Sequence, residues 1–187
     1  MTKLEWIAQA VGIVAMTFNI LSFQQKTPKR VITFQFFGSV LFALNYLLMG
    51  ALVGMCMNIV GIMRAVVYSN REKFRADRVF WLILFTSLYI LSYILTFTVF
   101  GTPFTLKSGI IELLPVIGMT ATTVSFRLQN AATIRKFGFI SSPCWLAYNI
   151  VNVAIGGAVC EIFSLCSIVI GTIRYDLKPR GKAKNRG

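Results

Sequence analysis

The sequence predicts an all-α integral membrane protein: seven transmembrane helices forming two parallel three-helix repeats joined by a linker helix. Three observations carry this expectation. The 187-residue chain is 56% hydrophobic and 13% charged, about half the usual share of charge, and a chain so apolar could not cover itself with polar surface in water. Its charge-free runs are long. Its basic residues, 19 against 6 acids for a net charge of +13, gather in alternate loops. Together with a mean hydropathy of +0.71, these features exclude a soluble globular domain and a disordered chain. The basic excess taken alone would suggest nucleic acid; its placement decides otherwise.

Residues 6–25, 31–63, 79–106 and 113–126 carry no charge, and 137–173 carry only Glu161. A spanning helix needs roughly 20 apolar residues. The run 31–63 would make about 50 Å of helix at 1.5 Å per residue, too long for one span, so it divides near Gly50 and Gly54. By the same reasoning 137–173 divides at Gly156-Gly157. The expected helices are 5–24, 31–49, 53–69, 79–99, 109–126, 137–153 and 157–174. Strands are excluded because an unclosed sheet edge is untenable in lipid.

The charges then sort by side. Lys26, Lys29 and Arg30 fall in the first loop, Arg71, Lys73, Arg75 and Arg78 in the third, and Arg127, Arg135 and Lys136 in the fifth. Arg174, Lys178, Arg180, Lys182, Lys184 and Arg186 fall in the tail. Lys3 and Lys107 lie opposite, and Arg64 lies inside a span. The positive-inside rule places the N-terminus outside and the C-terminus in the cytoplasm of a cell inner membrane, as an odd number of spans requires. The first apolar stretch is long and lacks a clean small-residue cleavage site, so it is expected to be retained.

An internal repeat emerges on shifting the chain by 103 residues. Ser22-Phe23 falls on Ser125-Phe126, Gly54 on Gly157, Asn58 on Glu161 and Gln9 on Glu112. An odd linker between two odd bundles gives both bundles the same orientation. The expected organisation is a first three-helix bundle at 1–70, a linker with the fourth helix at 71–107, a second bundle at 108–174, and a basic cytoplasmic tail at 175–187.

Polar residues inside the spans are the candidate site. Glu161 is costly in lipid and must face the bundle interior, where it is either an interhelical hydrogen-bonding group or a substrate and proton-coupling site. Asn58, its repeat mate, stands at the same depth. Arg64 is expected to snorkel to the cytoplasmic end, with an acid as the alternative partner. Glu112 is expected in the first turn of its helix, where the dipole favours an anion. Pro115 and Pro143 are candidate hinges, or kinks of packing. Asn19, Asn45, Asn149 and Asn152 suit interhelical hydrogen bonds. Phe42 and Trp145, each sixteen residues before Asn58 and Glu161, return to a comparable depth and could wall a shared cavity; Tyr46 and Tyr148 are packing aromatics. Cys56, Cys144, Cys160 and Cys166 read as small buried hydrophobes. They lack metal spacing, and the absence of histidine excludes His-based chemistry.

The segments Trp6-Ile7-Ala8-Gln9-Ala10-Val11-Gly12, Glu112-Leu113-Leu114-Pro115-Val116-Ile117-Gly118, Cys144-Trp145, Gly156-Gly157 and Glu161 resemble the YgjV family of bacterial inner membrane proteins. The chain is more distantly similar to the SWEET, SemiSWEET and PQ-loop transporters. That resemblance implies a three-plus-one-plus-three plan and a solute site of Trp145, Phe42, Asn58 and Glu161. Here one aromatic is Phe, one amide is replaced by an acid, and Leu21-Ser22-Phe23-Gln24-Gln25 stands where a Pro-Gln motif would be.

The expected function is small-solute transport by alternating access between the repeats, driven by gradients since no nucleotide motif is present. The alternative is a non-transporting assembly or accessory protein acting through the basic tail. An enzyme is not expected: proton-transfer catalysis wants positioned acid–base pairs, and Glu161 and Glu112 lie at different depths. No cofactor or metal is expected. The expected partners are the bilayer, anionic lipid at the cytoplasmic face and a small-molecule substrate, with no nucleic acid; a homo-oligomer is a further candidate.

Overall fold

A computed structural model describes residues 3–49, 52–99, 101–151 and 155–177. The expected turn residue Gly50, the amide of Asn152 and the tail cations Lys178 to Arg186 lie outside them. Among the described residues the chain is helical, with no strand. The helices are α1 (Lys3–Phe23), α2 (Pro28–Leu48), α3 (Leu52–Ser69), α4 (Arg71–Phe74), α5 (Val79–Thr98), α6 (Leu106–Leu128), α7 (Ala131–Val151) and α8 (Ile155–Thr172), and a π-helical turn (Ile173–Leu177) follows. Among the described residues five stretches are long and apolar enough to cross a membrane: Trp6–Phe23, Pro28–Leu48, Val79–Thr98, Leu106–Leu128 and Gly156–Leu177. Gly54–Ser69 of α3 is a shorter apolar helix, and α7 carries Arg135 and Lys136.

The helices begin earlier than the apolar runs suggest, because capping residues rather than charges set their ends. Thr27 caps α2 with its hydroxyl on the Arg30 N–H at 3.4 Å, and Pro28 occupies the first turn, where its missing N–H costs nothing. Thr105 and Ser108 form a reciprocal capping box at the start of α6, at 3.1 and 2.9 Å. The Asn130 side chain accepts from the Ala132 N–H at 2.9 Å before α7. Lys29, Arg30, Arg135 and Lys136, expected in loops, therefore lie within helices; Arg127 does too, because α6 runs on to Leu128. The third loop adds the short helix α4, ended by Arg75 at φ 49°. Gln129, at φ 52°, ends α6.

Packing divides the helices into two triplets. α2 packs between α1 and α3, and α7 between α6 and α8. The triplets meet along two seams, α1 on α8 and α3 on α6, with a lighter contact of α2 on α7. Helix α5 lies against α3 and α6, held by the Tyr89 hydroxyl to Thr123 at 3.2 Å and by the Tyr93 hydroxyl donating to the Gly109 carbonyl at 3.3 Å. Tyr68 sits between Phe85 and Phe126, ring centroids 6.2 Å from each. Large apolar side chains such as Ile13, Ile83, Ile110, Ile150 and Ile170 stay exposed on the outer helix faces, the pattern of a protein whose surrounding solvent is hydrocarbon.

The helix bounds repeat. A shift of 103 residues carries α2 end for end onto α7, carries α3 end for end onto α8, and places the first residue of α1 on the first of α6. Hydrogen bonds repeat too: Ser22 donates to the Asn19 carbonyl at 2.6 Å, and Ser125 to the Thr122 carbonyl at 2.7 Å.

Candidate functional site

A cavity of about 120 Å³ lies between the triplets. Holding one water takes roughly 10–15 Å³ on this measure, so the space suits several waters or a small solute. Phe42, Asn58, Trp145 and Glu161, the four expected site residues, all line it, with Arg64 and Asn149. Pro115 and Pro143 are not among its lining residues. Both sit inside unbroken helices, Pro115 on a buried face and Pro143 on an exposed one.

Each lining side chain is placed by local packing. Asn58 donates to the Gly54 carbonyl one turn back, at 2.8 Å. Glu161 stands six residues into α8, about 9 Å along its axis, with Ser142 of α7 beside it. Glycines let the walls approach closely. A Cβ on Gly54 would lie 2.9 Å from the Tyr46 ring, and one on Gly157 2.6 Å from the Asn149 amide. These are again residues 103 apart. A Cβ on Gly118 would lie 3.2 Å from the Trp145 indole, so that helix face is kept flat for the ring. Ser141 meets Thr122 at 3.2 Å across α6 and α7.

The cavity wall is itself repeated. Asn19 and Thr122, Ser39 and Ser142, Phe42 and Trp145, Tyr46 and Asn149, Met57 and Cys160, and Asn58 and Glu161 all line it, and each pair is 103 apart. Sequence reasoning missed Ser39, Thr122, Ser141, Ser142, Gln35 and Ser164. Small hydroxyl residues in apolar helices are common, and only the register of the repeat distinguishes those that face inward.

Arg64 departs from expectation. It does not snorkel: it is 4% exposed and turns inward, donating to the Met119 carbonyl at 3.3 Å and the Tyr89 hydroxyl at 3.4 Å. Its guanidinium lies 4.8 Å from the centre of the Phe126 ring, and its Nε has no hydrogen-bond partner. Glu112 also departs. Because α6 starts at Leu106 under the Thr105 cap, no acid lies in its first turn, and Glu112 stands in the second. Cys160 is buried as expected, whereas Cys166 is exposed. Among the described residues no His, Cys, Asp and Glu cluster could hold a metal.

At one end of the cavity the triplets are tied together. This is the end that carries Lys26, Arg71, Arg78, Arg127 and Lys136, here termed the basic end. Arg135, 2% exposed, pairs with Asp176 at 2.8 and 2.5 Å and donates to the Gln25 carbonyl at 3.0 Å. Gln24 donates to Ser167 at 2.7 Å, and Ser167 to the Ile20 carbonyl at 2.7 Å. On the other seam Gln129 donates to the Tyr68 carbonyl at 3.2 Å.

Stacked apolar helices with an oily exterior and a partly polar internal cavity define a multi-pass helical membrane protein. Residues 6–178 match the YgjV family of bacterial inner membrane proteins, and the chain belongs to that family. It is similar to the inner membrane protein YgjV of Escherichia coli (strain K12), with 23% identity over 170 residues, covering 91% of this chain and 85% of the relative. No solved structure matches it.

Proposed function

We propose that the protein is a small-solute transporter working by alternating access. In this reading seven helices span the membrane, α1–α3 and α6–α8 being parallel repeats and α5 the linker, while α4 lies at the surface. The basic end faces the cytoplasm by the positive-inside rule. The observation that carries the reading is the cavity wall, built from both triplets by residue pairs 103 apart. A site at the interface of two such repeats is where transporters of this construction hold their solute. The ties at Arg135, Gln24 and Gln129 then form the cytoplasmic gate, closed here, and rocking one triplet against the other would open it.

Accessibility tests this. In a background with the four native cysteines replaced, Asn58→Cys is reacted with a membrane-impermeant thiol reagent applied from each side of oriented vesicles. Adding Arg135→Gln, which removes the guanidinium bonds to the Phe23 and Gln25 carbonyls across the seam, should raise labelling from the cytoplasmic side severalfold. Cytoplasmic labelling unchanged by Arg135→Gln, with the variant folded, would overturn the gate and with it alternating access.

A further inference from the structure

The cavity holds two charged side chains, Arg64 and Glu161, among its described lining residues, and they do not pair with each other. The ion pair formed among the described residues joins Arg135 to Asp176 instead. Arg64 meets neutral acceptors, a ring face and, at Nε, nothing. Isolated charges in a low-dielectric interior are expensive unless a counter-charge reaches them. The two are also separated in depth. Asn58 and Glu161 each stand six residues into their helices, and Arg64 is six residues further along α3, about 9 Å closer to the basic end.

We propose that the cavity binds a small zwitterion, a solute whose cationic nitrogen meets Glu161 and whose carboxylate or phosphate meets Arg64. The proposal deepens the transport reading by naming the class of solute at the same site. Each alternative leaves a charge uncompensated: a simple anion strands Glu161, a simple cation strands Arg64, and a neutral polyol strands both. A net-neutral solute with separated charges compensates both and adds no charge to the membrane interior. The aromatic residues favour the same orientation. Trp145 and Tyr46 line the cavity with Glu161, and ring faces attract a cationic nitrogen. The Ser39 hydroxyl and the Asn58 amide oxygen, both on the cavity wall, are left for neutral polar groups.

The test uses the full-length protein in detergent and titration calorimetry with named probes. Glycine betaine, L-serine and γ-aminobutyrate are zwitterions of different charge spacing; lactate, choline and glycerol are the anion, cation and neutral controls. At least one zwitterion is expected to bind about 30-fold or more tightly than every control, the scale of losing one buried charge partner. Glu161→Gln, which keeps shape and removes charge, should weaken that zwitterion about 30-fold and reverse the preference toward lactate. Arg64→Gln should reverse it toward choline. Because Arg64 also ties α3 to α6, its variant counts only if its melting is cooperative, and the Glu161→Gln reversal, which no folding defect mimics, stands alone if it is not. Glycerol binding that survives Glu161→Gln, zwitterion binding unchanged in that variant, or no binding by any probe at millimolar concentration overturns the proposal. Uptake into proteoliposomes separates the two readings. Zwitterion binding without uptake keeps the site and removes transport, whereas glycerol uptake indifferent to both variants keeps transport and removes the zwitterion.

Discussion

Gly171→Ala tests the basic-end seam at its tightest point. A Cβ there would meet the Phe23 carbonyl oxygen at 2.5 Å and Arg135 Cδ at 3.1 Å. A carbon approaches a carbonyl oxygen to about 3.3 Å, so the end of α1 must retreat by about 0.8 Å. The neighbouring bonds from Ser167 to the Ile20 carbonyl and from Gln24 to Ser167, both 2.7 Å, would then stretch to the limit of hydrogen bonding. Overpacking of this kind costs about 1–3 kcal/mol. Gly156→Ala is the control: a Cβ there has nothing within 4 Å, and the gain in helix propensity is up to about 1 kcal/mol. Both glycines lie in α8, so that gain is common to the two variants and they should differ by the overpacking cost of about 1–3 kcal/mol. At roughly 2–4 °C per kcal/mol for a chain of this size, Gly171→Ala melts about 2–12 °C below Gly156→Ala in the same detergent at one scan rate. If Gly171→Ala melts at or above its control, the seam is not packed as described and the gate built on it fails.

Further outcomes follow from single contacts. In a double-mutant cycle Arg135→Gln and Asp176→Asn should couple by about 0.5–3 kcal/mol, and additive losses in thermal unfolding would show that the pair is not formed. Asn45 donates to the Ala8 carbonyl at 2.6 Å, so Asn45→Ala should cost about 0.6–1.7 kcal/mol in denaturant unfolding, with loss of the α1–α2 contact; a neutral result refutes that bond. Thr105→Ala should remove about 1 kcal/mol through the capping box, while Glu112→Gln, standing outside the first turn, should change stability by less than about 0.5 kcal/mol; the reverse order, read by thermal melts, would restore Glu112 as the cap.

The helical plan was legible because hydropathy acts over whole segments: long charge-free runs leave no other viable structure in lipid. The ends were not, because caps rather than charges set them. A helix runs past its apolar stretch as long as its first N–H groups find acceptors, and Thr27, Thr105 and Asn130 supply them. The Thr-Pro pair at 27–28 and the Thr-x-x-Ser at 105–108 were the available signals. The 103-residue offset relates Phe42 to Trp145 and Asn58 to Glu161, and all four line one cavity. Arg64 was misread because depth along a helix says nothing about azimuth. Six residues turn a helix through about 1.7 turns, so Arg64 is offset from Asn58 by about a third of a turn, yet both line the cavity.

The proposed chemistry lies where the 103-residue correspondence breaks. Asn58 becomes Glu161 at the same depth, and Arg64 has Ser167 as its mate, a residue spent on the α1–α8 seam through the Ile20 carbonyl. The two triplets thus share a frame and a set of neutral wall residues, but each carries one charge the other lacks: a cation on α3 and an acid on α8. Two like bundles carrying the same charge would repel across the cavity, and bundles carrying none would have no electrostatic reason to close on a solute. One charge of each sign, held apart by about 9 Å of helix axis, means that a solute touching both must touch both triplets. Under the proposed chemistry, occupancy is therefore coupled to the relative position of the triplets, because moving one against the other changes the distance between the ligand's two partners. Glu161→Gln should then lose that coupling as well as affinity: saturating zwitterion should alter the labelling of Asn58→Cys from the two sides in the parent and leave it unaltered in the variant. Equal ligand response in both would show that the acid does not link solute to bundle position.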